Sequence, residues 1–389
     1  MANGERFAPP VALGGLNKRA LVVGAIAAAV SAGGLFLDRT QFFQSYLIAW
    51  LFWMGIAMGG FGTMLLSHMT GGAWGLMIRR VFEAGLRTLP VVVILFLPVL
   101  FGLDDLFVWA RPEAAADALI QTKTWYLNNK FFILRAFLYF AIWGAFGWAL
   151  LRLSRRQDET NDPGLVRKMQ SIAGPGLGIY GLTATFASVD WLMSLDPHWY
   201  SSLFGVYFIG GQAVSAIAFG ILIVRYLSKR EPMAGAYRPQ HYHDYGNLLF
   251  AFVLLWSYFG LSQFLIIWMG NLSEETVWYL HRQQHGWEWV SLSLVIFHFA
   301  VPFMLLLSRK RKRNIGALSK VAVLLLVMHW LDLVWQAGPA FSEHLSFHWL
   351  DLTTLAAVGG LWLAAFAGEL RKRALVPVGE PYLEEALQA

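Results

Sequence analysis

The chain has 389 residues, of which 57% are hydrophobic and only 14% are charged. Soluble domains carry about 25% charged residues, so this composition excludes a soluble protein and indicates a polytopic membrane protein. The net charge of +6 comes from basic residues clustered between apolar segments, a pattern that encodes membrane orientation and argues against nucleic-acid binding. The sequence contains no cysteine, which excludes thiolate metal ligands, iron–sulfur ligation and c-type haem attachment in this chain.

Ten apolar segments reach the length of about 20 residues that a membrane-spanning helix needs. They predict an all-α fold with spans near 19–37, 42–66, 87–108, 131–152, 171–193, 203–226, 247–270, 288–307, 318–337 and 350–369. The first segment also resembles a signal peptide, because Lys18 and Arg19 precede it and residues 30–32 resemble a cleavage site. Since the sequence begins with Met1, we expect this segment to be retained.

The connections between spans are short, except for 104–130 and 227–246. We therefore expect a single integral membrane domain over 1–389. The second to fifth spans and the sixth to ninth spans begin on the same side, which predicts two four-helix bundles, at about 42–193 and 203–337, with flanking helices.

The basic residues predict the orientation of the chain. Of the 30 Lys and Arg residues, 24 fall on the side of the termini and 6 on the other side. The side richer in Lys and Arg is normally cytoplasmic, so both termini are expected in the cytoplasm.

Asp190 is the first ionisable residue that lies at membrane depth, where such groups are costly and usually functional. Tyr180, Thr183, Ala187 and Ser194 share its face at helical spacing. This stripe suits a proton path. Alternatively, the hydroxyls bond their own helix carbonyls and Asp190 lies at the interface among aromatic residues.

A second polar face lies on the ninth span, where His329, Asp332 and Gln336 follow at i, i+3 and i+7. A carboxylate one turn from a histidine suits a proton relay. His298 on the eighth span should lie at a similar depth. Two such histidines also suit a bis-histidine haem or simple hydrogen-bonded packing.

Two further groups of polar residues are candidates for proton transfer. On the seventh span, Tyr258, Ser262 and Gln263 could extend a hydroxyl chain, or could serve as helix–helix contacts. His68 and Glu83 bracket the loop between the second and third spans. They suit a proton entrance, or else a solvated loop rich in basic residues.

Five motifs together resemble the ActF membrane subunits of bacterial Alternative Complex III, within the polysulfide-reductase-like (NrfD-type) family. The resemblance extends from about residue 18 to 373, and its motifs lie at 67–74, 126–135, 189–201, 262–271 and 298–303. It implies a quinol:electron-acceptor oxidoreductase in the bacterial inner membrane. The implied partners are a homologous NrfD-like subunit, an iron–sulfur subunit, multi-haem cytochrome c subunits, small membrane subunits and lipids.

The resemblance implies that haem and iron–sulfur clusters lie in those partners, that this chain has no covalently bound cofactor, and that it contributes to proton translocation. Quinone or quinol would bind near Asp190 and His298. Two alternatives stay open: the chain has its own quinol-oxidising site, with Asp190 or His298 as the base, or it is a transporter-like or purely structural membrane anchor.

Overall fold

The computed structural model describes residues 7–388. The two ends of the predicted domain, and Arg6 in the count of basic residues, lie outside the described residues. All the regular elements within 7–388 are helices, so the prediction of an all-α fold is confirmed.

Twelve longer helices form the body of the protein. They are α1 (Ala12–Leu37), α2 (Arg39–Thr70), α3 (Leu76–Arg87), α4 (Leu89–Phe101), α5 (Asn129–Thr160), α6 (Gly164–Trp191), α7 (Phe204–Leu227), α8 (Pro239–Gly270), α9 (Ser273–His281), α10 (Trp287–Leu307), α11 (Ile315–Ala337) and α12 (Trp349–Leu370). Short helical turns lie at Leu103–Leu106, Val108–Ala110, Pro112–Ala116, Ala118–Thr122, Met193–Leu195, Arg309–Lys312, Gly338–Ala340 and Leu383–Gln388.

Nine helices in the described part of the chain are long and apolar enough to cross a membrane, and the pair α3 and α4, bent by 43°, would make a tenth span. The protein is therefore a multi-pass membrane protein. Each of the ten predicted segments overlaps one of these helices or the bent pair.

The third span differs most from its prediction, because it starts at Leu76 and not at 87. Arg79, Arg80 and Glu83 made this stretch resemble a polar loop, yet all three side chains are buried. They are buried because each forms an ion pair inside the protein, and a hydropathy pattern cannot detect such partners.

Helices α2 and α7 lie at the centre of the molecule and are almost wholly buried. Helices α3, α4 and α6 pack on α2, and α5 packs on α6; we call α2 to α6 the α2 bundle. Helices α8 and α11 pack on α7, and α10 packs on α8 and α11; we call these four helices the α7 bundle. The two central helices approach closely at Gly59, where any Cβ atom would overlap the carbonyl oxygen of Gln212. Small residues permit such close approach of helices in membranes.

Helices α1 and α12 form an antiparallel pair beside the bundles. Along this pair Gly14 lies near Arg371, Gly24 near Gly360, and Gly34 near Leu350. Both described ends of the chain are therefore on the same side, which we call the termini side; the opposite side is the far side.

The segment after α12 folds across the helix ends on the termini side. Glu380 pairs with Arg79, with an N–O distance of 2.7 Å. The Nε2 atom of His241 donates to the carbonyl oxygen of Ala386 over 2.6 Å. These contacts attach the segment to α3 and to α8, which belong to different bundles.

Candidate functional site

Asp190 lies near the far side, at the end of α6, and is completely buried. The guanidinium of Arg135 on α5 forms a bidentate pair with this carboxylate, with Nε 2.9 Å from Oδ2 and Nη2 2.7 Å from Oδ1. The hydroxyl of Tyr139, one turn further along α5, donates to Oδ2 over 2.7 Å. We call these three residues the Asp190 site. A carboxylate at this depth requires such a partner.

Arg135 is itself held in place by the loop before α5. Its Nη1 donates to the carbonyl oxygen of Tyr126 over 2.8 Å, and its guanidinium lies 3.7 Å from the centre of the Tyr126 ring. A planar guanidinium suits this combination of bidentate pairing and stacking. From the sequence, Arg135 counted only as an orientation charge and as part of a family motif, so its pairing with Asp190 was missed.

The predicted polar stripe on α6 is buried over its whole length, but its members bind different partners. Tyr180 donates to Oε1 of Gln212 over 2.7 Å, on the other bundle. Thr183 accepts from Nε1 of Trp143 over 2.8 Å and donates to a carbonyl oxygen of its own helix. Ser194, in the short turn after α6, donates to the carbonyl oxygen of Asp190. The stripe therefore lacks a continuous hydroxyl chain.

The second buried group lies inside the α7 bundle. Asp332 on α11 accepts from the hydroxyl of Tyr207 over 2.6 Å and from Nε1 of Trp256 over 3.2 Å. His298, on the π-helical stretch of α10, packs against Trp256 with ring centres 3.9 Å apart and lies 6.5 Å from the ring of His329. We call these five residues the His–Asp cluster.

The ring nitrogens of His298 and His329 have no hydrogen-bond partner among the described residues, although both side chains are buried. Buried polar atoms are normally hydrogen-bonded. Each neutral imidazole therefore has one N–H donor and one acceptor nitrogen that no described residue uses. Trp256 fills the space against His298, which argues against a bis-histidine haem, because a porphyrin needs an open slot there.

Two glycines, Gly211 and Gly55, leave room for the His329 side chain where the two bundles meet, and we call this space the Gly211 notch. A Cβ atom at Gly211 of α7 would lie 3.1 Å from Nδ1 of His329 and 3.8 Å from Oδ2 of Asp332. A Cβ atom at Gly55 of α2 would lie 3.7 Å from Nε2 of His329 and 3.5 Å from Cγ of Gln212. His329 thus lies between Asp332 and the Tyr180–Gln212 pair.

The residues predicted on α8 do not all face the core. Gln263 is buried, where it accepts from Ser201 over 2.9 Å and donates to the Tyr279 hydroxyl over 3.2 Å. Tyr258 is 62% exposed on the outer surface, and Ser262, one turn later, is half-buried. Helical spacing correctly placed Tyr258 and Ser262 on one face, but that face points outward.

Glu83 belongs to a third buried group, on the termini side. Arg80 donates to Glu83 over 2.6 Å, to Ser154 over 2.9 Å and to Asp158 over 2.6 Å. Ser154 donates to Glu83 over 2.7 Å, and Arg373 lies 3.5 Å from Asp158. We call these five residues the arginine cluster. Its ion pairs join α3, α5 and the segment after α12, so the alternative of a solvated loop is wrong at Glu83.

His68 lies apart from the arginine cluster, at the end of α2, and is also buried. It borders a cavity of about 680 Å³ that Arg79, Gln170, Glu380 and Glu385 also line. The cavity gives this histidine polar neighbours at the membrane boundary, as a proton entrance requires.

Between residues 7 and 388, no three side chains of the types that bind metals come together as a metal site. The three buried groups offer hydrogen bonding, ion pairing and proton exchange by the protein's own side chains. No protein-family model and no curated protein matches this chain.

Proposed function

We propose that the chain is an integral subunit of a quinol:electron-acceptor oxidoreductase of the Alternative Complex III type, and that it moves protons while partner subunits carry the electrons. The observation that carries this proposal is the His–Asp cluster, in which a buried carboxylate and two unpartnered histidines lie at the junction of the bundles. Groups of this kind inside a membrane protein are characteristic of proton pathways. The family named in this proposal rests on the resemblance of the five sequence motifs.

The proposal assigns a role to each member of the cluster. Asp332 holds a proton beside the hydroxyl of Tyr207, and His329 exchanges it across the Gly211 notch. His329 lies beside Asp332 at Gly211 and beside the Gln212 side chain at Gly55. Loss of its imidazole should therefore interrupt the route between the bundles.

The partners follow from the same resemblance. We propose that the chain lies in the bacterial inner membrane with both termini in the cytoplasm, beside a homologous NrfD-like subunit, an iron–sulfur subunit and multi-haem cytochrome c subunits. The described ends lie on one side of the protein, as this orientation requires. Quinone would bind near His298 or Asp190.

A second candidate is a quinol-oxidising site in this chain. The ring nitrogens of His298 favour it, because an unpartnered imidazole can accept a quinol hydroxyl proton while partner subunits take the electrons. Asp190 suits this role less well, because Arg135 and Tyr139 already occupy its oxygens.

The test uses the intact complex purified with its partners and reconstituted in proteoliposomes, where quinol turnover and protons moved per electron are measured together. Asp332→Asn should keep the complex assembled and lower the rate of proton movement by about tenfold or more, since general acid–base groups contribute at least that much. Tyr258→Phe is the matched control, because it removes a hydroxyl from the exposed face of α8.

The outcomes separate the candidates. If Asp332→Asn and His329→Gln both match the wild type in turnover and in protons per electron, the proton-pathway proposal is wrong. If His298→Gln instead abolishes quinol turnover while Asp332→Asn leaves the proton ratio unchanged, the second candidate is correct.

A further inference from the structure

A deep groove opens on the outer surface at the termini side, where α4 begins and α5 ends. Its volume is about 1060 Å³, and the segment after α12 forms its third wall. The apolar part of its lining includes no residue of the three buried groups. We call it the α4–α5 groove.

The half of the groove that extends into the membrane is apolar. It is lined by Leu89, Pro90 and Val93 from α4, and by Phe140 and Gly144 from α5. Gly144 keeps its floor open, because a Cβ atom there would meet only Leu89, at an ordinary distance of 3.7 Å. A trough of this kind, parallel to the helices, accepts an extended hydrocarbon chain.

The half at the membrane boundary is charged, with an excess of basic residues. Its lining includes Arg87, Arg152, Arg155, Lys372 and Arg373, against the acidic Asp158, Glu159 and Glu369. Two of the cations are neutralised locally, since Arg155 pairs with Glu159 and Lys372 pairs with Glu369.

Three arginines retain free hydrogen-bonding capacity towards the groove. Arg152 contacts the ring of Trp148 at 5.1 Å, which leaves its donors unused. Arg87 reaches Glu83 only at 3.6 Å, and Arg373 reaches Asp158 only at 3.5 Å and Glu83 only at 4.0 Å, so neither guanidinium makes a short hydrogen bond to a carboxylate. Guanidinium groups bind phosphate oxygens through paired N–H donors.

We infer that the α4–α5 groove binds an acidic phospholipid, whose phosphodiester contacts Arg87, Arg152 and Arg373 and whose acyl chain lies along Gly144. Basic pockets between helices at a membrane boundary are the sites where acidic headgroups bind. The combination of excess positive charge with an apolar trough selects this ligand over a neutral one. The inference does not depend on the proposed function, because it uses only the groove and the membrane location.

The experiment uses the full chain purified from the membrane together with any subunits that co-purify, stripped of lipid in detergent and titrated with dioleoylphosphatidylglycerol or dioleoylphosphatidylcholine. Native mass spectrometry then counts the lipids that remain bound. The wild type should prefer phosphatidylglycerol, and Arg152→Gln should weaken its binding about fivefold, the effect expected for one basic residue near a headgroup. Arg152 is exposed, so this variant should fold normally.

A groove-filling variant and a matched control complete the design. Gly144→Leu should fill the trough and abolish specific binding without altering any charge. Arg156→Gln removes the same charge from an exposed position on the same helix that does not line the groove, and should change binding by less than about twofold.

Three results would overturn the inference. The first is equal effects of Arg152→Gln and Arg156→Gln, which would indicate only nonspecific surface charge. The second is unchanged binding in Gly144→Leu. The third is displacement of phosphatidylglycerol by equimolar decylubiquinone, which would identify the groove as a quinone site.

Discussion

Asp190→Asn and Arg135→Gln should each destabilise the protein, and by unequal amounts. Breaking one side of a buried ion pair costs about 3–5 kcal/mol. After Asp190→Asn, Arg135 retains the Tyr126 carbonyl and ring, and its side chain is 15% exposed. We therefore expect a loss near the lower limit, about 3 kcal/mol.

Arg135→Gln should cost more, about 5 kcal/mol. It leaves a carboxylate whose side chain is only 1% exposed and whose remaining strong donor is the Tyr139 hydroxyl. In the double variant neither charge is left unpaired. Its loss should be about 2–3 kcal/mol smaller than the sum of the single losses, because directly contacting groups couple.

The assay is unfolding of the purified chain by sodium dodecyl sulfate in mixed micelles, followed by circular dichroism. Arg39→Gln is the control, because the Arg39–Asp105 pair has an arginine side chain that is 61% exposed and should contribute less than about 1 kcal/mol. Single losses that add within about 0.5 kcal/mol would refute the reasoning, since they would mean that the two groups do not stabilise each other.

Two further predictions use the same unfolding assay. Gly24→Leu should cost about 1–3 kcal/mol by overpacking, because its Cβ atom would lie 2.6 Å from the backbone nitrogen of Leu361. Gly15→Leu is the control and should be neutral, because no atom lies within 4 Å of its Cβ position. Equal effects at both positions would contradict this account. Gln212→Leu should cost about 1–3 kcal/mol because it leaves the buried Tyr180 hydroxyl without its acceptor. Adding Tyr180→Phe should recover part of that loss. If it recovers none, the hydrogen bond between the two side chains does not stabilise the protein.

Hydrophobicity and helical spacing predicted most of the fold. The apolar segments are long, so each span is detectable without knowledge of its neighbours. The i, i+3 and i+7 spacing likewise placed His329, Asp332 and Gln336 together, and all three are buried. Information of this kind is local to one helix.

Partners distant in the sequence could not be predicted in this way. The partner of Asp190 is 55 residues away, and that of Arg79 is 301 residues away. Tyr258 shows a second limit of sequence-based prediction. Helical spacing shows which residues share a face, but it does not show whether a neighbouring helix covers that face. Arg135 and Tyr139 lie at i and i+4 and so share a face of α5, but this spacing does not show that the face meets Asp190.

The antiparallel pairing of α1 with α12 has a consequence for biosynthesis. Among the twelve longer helices described, α1 is synthesised before the others, and its most extensive neighbour, α12, is synthesised after them. Throughout synthesis, the glycine-lined face of α1 at Gly24 and Gly34 must therefore remain covered by lipid or by the insertion machinery. A chain truncated before Trp349 would lack the helix that covers this face, so its α1 would keep the temporary cover that it has during synthesis.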